Sequence, residues 1–231
     1  MRAIFDDAYD PAKERALVGD GDARKLMTLA SGTRLADGRT VVIVNGAFAD
    51  ENGNDTSGYG SPGLLNVYFL KRTDKGWDVL ERREDAAEAG VRGDIGGVEW
   101  VTLGPGKQGF ILGSGGMWQG YLVATADIFV LDDETRHLGM VRTMSDNAGN
   151  CSSESEDCWS VEGDIRFDTA AQSNGYADML VDYHGKHYRV TEGRDGKQVE
   201  HVTSTVKQTS RWRFDGKQYV LVSGTDPMPN I

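Results

Sequence analysis

The stretch "DENGND" places Asp50, Asn52 and Asn54 at every second position around Gly53, with Asp55 following. Alternating oxygen ligands on a glycine turn are how a calcium loop wraps a hard cation. Asp50, Asn52, Asn54 and Asp55 are therefore the candidate metal ligands. The acidic group usual at the end of such a loop is missing, since Ser61 stands there. Asn, Asp and Gly in this pattern also build ordinary turns by bonding their own backbone. No cofactor is expected; if a metal binds, it is calcium at this loop.

Both cysteines, Cys151 and Cys158, lie in "SDNAGNCSSESEDCWS" beside Asp146, Glu154, Glu156 and Asp157. Six intervening residues do not make a C-x-x-C redox motif. Zinc would need two further soft or imidazole ligands, and this loop has none. A disulfide closing a small loop is the expected reading, and it points to an oxidising compartment. In "DYHGKHY", His184 and His187 would face opposite ways on a strand, and Gly185 suggests a surface hairpin turn between them. The zinc-protease pattern H-E-x-x-H is absent.

Three further motifs lose their chemistry in context. "GPGKQG" (104–109) matches a dinucleotide fingerprint, but no helix follows to receive a pyrophosphate, so it reads as a hairpin turn. "LGSGG" (112–116) has Leu112 where a serine elbow needs glycine, and no helix follows Ser114. Asp6–Asp7, Glu84–Asp85 and Asp132–Asp133 are adjacent carboxylates, and neighbours on a strand point to opposite faces. Glycoside hydrolysis instead needs two carboxyls facing across a cleft.

The aromatic residues are more suggestive. "GSGGMWQGY" stands Met117, Trp118 and Tyr121 on a backbone of small residues, and Tyr59 lies in another glycine-rich stretch. These four are the candidate binding residues, for sugar rings or a protein partner. The competing reading packs Trp118 into the core.

The elements that must position these residues are mostly strands. "RTVVIVN", "LLNVYFL", "VEWVTL", "GYLVATADIFVL", "WSVEGDIRF", "YADMLVDY" and "QYVLV" are rich in β-branched and aromatic residues and bounded by turn signals. The turns "ADGR", "TDKG", "RDGK" and "FDGK" supply the positive φ that tight hairpins need. "WRFDGKQYVLV" reads as one hairpin. Loops are expected at 50–63, 84–97 and 143–158. Only the first thirty residues suggest helix, with Asp10 capping, Pro11 opening "AKERALV", and "DARKLMTLA" following. The expected fold is all-β: antiparallel meander sheets in a sandwich or partial, propeller-like arrangement, with short N-terminal helices. A single domain is expected over 1–231, helical over 1–30 and β over 31–231. "NGYADMLV" (174–181) resembles the second half of the FG-GAP or VCBS-type repeat of β-propellers. That resemblance implies a propeller-like hairpin. It does not imply the family's calcium site, since Ala171, Gln172 and Ser173 stand where its ligands would be.

The chain has 231 residues, a formal charge of −11 and a pI near 4.8. Such a surface repels phosphate backbones, so nucleic-acid binding is not expected, and a basic protein partner would be attracted. No apolar run reaches the roughly 20 residues of a membrane-spanning helix. The N-terminus lacks the pattern of a signal peptide. With the cysteines, this fits a mature periplasmic or secreted protein. The expected function is a binding or inhibitory, immunity-type protein acting by protein contact without catalysis. The alternatives are a carbohydrate-active or metal-assisted hydrolase using loop carboxylates, and a structural envelope protein.

Overall fold

A computed structural model describes residues 1–155, 157–193 and 195–229. It is nearly all β, with two antiparallel meander sheets of six and eight strands and no closed barrel. The first sheet runs in chain order through β1 (Tyr9–Asp10), β2 (Arg15–Val18), β3 (Lys25–Arg34), β4 (Thr40–Phe48), β5 (Gly63–Thr73) and β6 (Gly76–Ala89). The second holds β7 (Gly97–Gly104), β8 (Lys107–Trp118), β9 (Tyr121–Leu131), β10 (Thr135–Asp146), β11 (Cys158–Ser173), β12 (Tyr176–Glu192), β13 (Gln198–Phe214) and β14 (Tyr219–Ser223). Within each sheet every strand pairs with its neighbours in sequence, and short turns join them except at the longer connections 49–62 and 147–157.

The chain divides into two compact units. The first contains residues 1–101, 108–114 and 129–137; the second contains 102–107, 115–128 and 138–231.

In the first unit β5 is buried on both faces, which is why "LLNVYFL" reads as an unbroken apolar run rather than an alternating one. Leu65, Val67 and Phe69 on one face pack with Val41, Ile43, Ile95, Phe110 and Phe129. Tyr68 and Leu70 on the other face pack with Val44, Met27 and Ala16, and with Ile4 and Phe5 of the short helix α1 (Arg2–Phe5). In the second unit Val161, Met179, Val181 and Tyr183 are buried. Tyr176 and Phe214 meet at 4.1 Å between ring centroids.

The N-terminal region corrects the helical expectation for 1–30. "AKERALV" turns at 11–14 and then becomes β2, and "KLMTLA" belongs to β3. Asp10 does accept the amide of Ala12, as a cap would, but Glu14 then takes a φ of 53°, which ends any helix. Neither segment has the wide apolar stripe that would bury a helix, whereas alternation buries Ala16 and Met27 against the sheet. Three boundaries also differ. Residues 84–89 belong to β6, 143–146 to β10, and His184, Gly185 and His187 to the interior of β12 rather than to a turn.

The turns "ADGR", "TDKG" and "FDGK" do join consecutive strands, and Asn174–Gly175 joins β11 to β12 with both residues at positive φ. Arg194 of "RDGK" and Glu156 of the cysteine loop lie outside the described residues.

Candidate functional site

The second unit holds Met117, Trp118, Tyr121 and both cysteines, and the first holds Tyr59 and the 50–55 loop. Between β10 and β11 the loop 147–157 is closed by the Cys151–Cys158 disulfide. Asn147 organises it: its Oδ1 accepts the amide of Trp159 at 2.7 Å, and its Nδ2 donates to the Asp157 carbonyl at 3.2 Å. Cys158 is fully buried and packs with Tyr188 and Val190 of β12, with Cys151 beside them. The staple thus closes the loop and seats it on the sheet.

This loop braces the β8–β9 hairpin tip. The tip turns through Gln119 and Gly120, both at positive φ. Asn150 Nδ2 donates to the Gln119 carbonyl. Gly149 and Gly120 approach so closely that a Cβ on Gly149 would lie 2.7 Å from the Gly120 Cα. Only glycine fits such a contact.

Met117 and Trp118 lead into this turn, each 61% exposed. The core-packed reading of Trp118 therefore fails. The last residues of β8 alternate exposed and half-buried positions, and its glycines and serine supply no apolar neighbours to cover an indole. Tyr121 begins β9 and is half-buried, with its ring 6.1 Å from that of Trp159. Trp159 is anchored in turn by its Nε1–H, which donates to the Ser145 hydroxyl at 2.9 Å. Met117, Trp118 and Tyr121 thus share one hairpin tip. Tyr59 belongs to the first unit, where the Arg92 guanidinium lies 4.4 Å over its ring.

In the 50–55 loop, Asp50 turns its carboxylate onto the loop's own backbone and Asn54. Asp50 Oδ1 accepts the amides of Asn52 at 2.9 Å and Asn54 at 2.8 Å, and Oδ2 accepts Asn54 Nδ2. These bonds, those from Asn54 foremost, hold the Asp50 carboxyl below its ordinary pKa. Asp55 Oδ1 accepts the amide of Ser57. Among the described residues, no group of three or more His, Cys, Asp or Glu side chains is placed to hold a metal.

The first unit also has a cleft of about 420 Å³, lined by Phe5, Lys25, Asn66, Tyr68, Arg82 and Glu84 among others. A bulge in β6 opposite the buried Asn66 shapes it, since the pairing register jumps between Leu65 and Val67. Asn66 Oδ1 takes the amide of Asp85, which sits at φ 50°. Glu84 receives the Tyr68 hydroxyl, and Asp85 pairs with Lys25. Burial, reinforced by Glu84, holds the Tyr68 phenol protonated far above the ordinary range. In the sequence Glu84 and Asp85 stand out only as adjacent carboxylates, and Asn66 as the one polar residue inside "LLNVYFL"; nothing there joins them to Lys25, Tyr68 or Arg82.

Comparison with protein-family models, curated proteins and solved structures found no match. The functional reading rests on the site.

Proposed function

We propose that this chain is a binding or inhibitory protein of an extracytoplasmic compartment, of the immunity type, which engages a protein partner through the β8–β9 tip. The observation that carries the reading is the exposure of Met117 and Trp118 on a hairpin braced by a disulfide-closed loop. Tryptophan and methionine are enriched at protein interfaces, and tryptophan dominates binding energy where it is desolvated by a partner. A preformed tip loses less conformational freedom on binding. The disulfide suits an oxidising compartment. The acids of the stapled loop and the charge of −11 favour a basic partner. Among the described residues, no helix is long and apolar enough to cross a membrane.

The test is capture from periplasmic extract and culture fluid with the native chain and with Met117→Ala/Trp118→Ala, captured proteins being identified by mass spectrometry. A basic protein retained by the native chain and lost by the variant is expected. Equal capture by both, or turnover of glycoside or ester substrates by the purified chain, would sink the reading.

A further inference from the structure

Strand β13 lies beside β12 along most of its length, but β14 covers its other side only at Arg211–Phe214. Gly224 and Thr225 then lie against 208–210, and among the described residues no strand pairs with the outer edge over 198–207. Every residue from Gln198 to Thr205 is exposed. Native sheets usually blunt such an edge with charges, proline or bulges. The first sheet does this at β6, where Arg82, Arg83, Glu84, Asp85 and Glu88 crowd the strand and two register shifts bend it. Residues 198–207 of β13 have one bulge but little charge: they read "QVEHVTSTVK", with one acid, one lysine and five β-branched residues.

The register makes this edge complementary to itself. Lys207, Thr205, Val202 and Glu200 pair with His184, Lys186, Tyr188 and Val190, alternate residues of β12 that share one face. The shift between His187 and Tyr188 leaves Thr203 as an extra residue. In an unbulged strand Glu200 and Lys207, seven positions apart, would face opposite ways. The bulge brings them to the same face, and the spacing 200, 202, 205, 207 then reads the same in both directions. A two-fold axis normal to the sheet preserves faces and reverses the strand. It sets Glu200 opposite Lys207 of a second copy and Val202 opposite its Thr205, twice over.

We propose that β13 pairs antiparallel with β13 of a second copy of this chain across the 200–207 edge. The charges fit. Glu200 is half-exposed and already bonded to Lys186, leaving lone pairs for another ammonium. Lys207 is exposed and has no ion-pair partner among the described residues. The chain's negative excess lies elsewhere, because residues 184–207 carry five lysines and arginines against three acids. Repulsion from more distant charge is screened beyond about 8 Å at physiological salt. Two strand edges bury little surface, so the dimer is weak and depends on concentration.

The experiment is sedimentation equilibrium of the full chain over a wide concentration range, with Glu200→Lys and Lys207→Glu separately and then mixed. The native chain is expected to move from monomer to dimer mass. Each variant alone should lose about tenfold or more in dimer affinity, since two opposite-charge pairs become two like-charge pairs. Mixing the variants restores both pairs, so the mixture should dimerise again. Hydrogen exchange at 200–207 should slow as the native dimer forms, and unchanged melting temperatures would show that the exposed substitutions leave the fold intact. A native chain that stays monomeric at every concentration, a dimer indifferent to either variant, or a mixture that remains monomeric would overturn the proposal. Met117→Ala/Trp118→Ala leaves this equilibrium unchanged, so its failure is distinct from failure of partner capture at the tip.

Discussion

Asp178 on β12 is 1% exposed, yet it carries a charge. Burial alone would raise its pKa, but hydrogen bonds from Arg213 and Arg211 outweigh that and hold the carboxyl below its ordinary value. The sign follows by linkage. A depressed folded pKa stabilises the fold above the unfolded carboxylate range near pH 4, and that contribution is lost as pH falls through the lowered value. Asp178→Asn should therefore melt lower than the native chain at neutral pH, and the gap should close as melting is followed below about pH 4. Asn66 makes a second residue-scale case. It is 1% exposed, donates to the Leu64 carbonyl and accepts the Asp85 amide. Asn66→Ala strands both groups at the bulge and should cost about 1–3 kcal/mol by denaturant titration. Both residues sit in segments read correctly as strands. Asp85, Arg211 and Arg213 could not be named as their partners from the sequence, since they arrive from positions 19 to 35 residues away.

At the scale of elements, the stapled loop is the piece to probe. It closes few residues, so by chain entropy the disulfide contributes about 2.5 kcal/mol or less. Its larger role is to hold Asn150 against the β8–β9 turn and Cys158 against Tyr188. Reduction should lower the melting temperature modestly and speed amide exchange at 117–121 as well as in the loop itself. Gly149→Ala should speed exchange at the tip with the disulfide intact, because its Cβ would collide with the Gly120 backbone. Exchange confined to 147–158 in either case would show that the loop does not brace the tip. The spacing of the cysteines made the disulfide legible. That the loop lands on another hairpin was not, because the contact is made by glycine backbones and one side-chain amide, which leave no pattern in the sequence.

Across the whole molecule, the charge of −11 would set how the proposed basic partner arrives. Capture of a basic protein should weaken severalfold as ionic strength rises from about 0.05 to 0.5 M, mainly through slower association, as measured by surface plasmon resonance. Binding indifferent to salt would mean that Met117 and Trp118 act without electrostatic help. The open edge of β13 and the blunted edge of β6 likewise belong to this scale, since an edge is defined only once every strand has its neighbour.

The sequence by itself determined the all-β class, the Asp-Gly hairpin turns, the apolar strand β5 and the disulfide. Each of these is encoded locally, in side-chain period, turn chemistry or cysteine spacing. It misread the N-terminal strands, whose short segments match a helix or a strand until a sheet edge supplies backbone partners. It also passed over β6 and most of β13, where faces open to water need no apolar alternation. Only the tertiary structure decided that Trp118 is exposed, that Asn66 shapes a cleft, and that one bulge at Thr203 puts Glu200 and Lys207 on the same face. Those outcomes depend on which strand lies beside which and in what register, and register is settled by the summed burial of whole sheets.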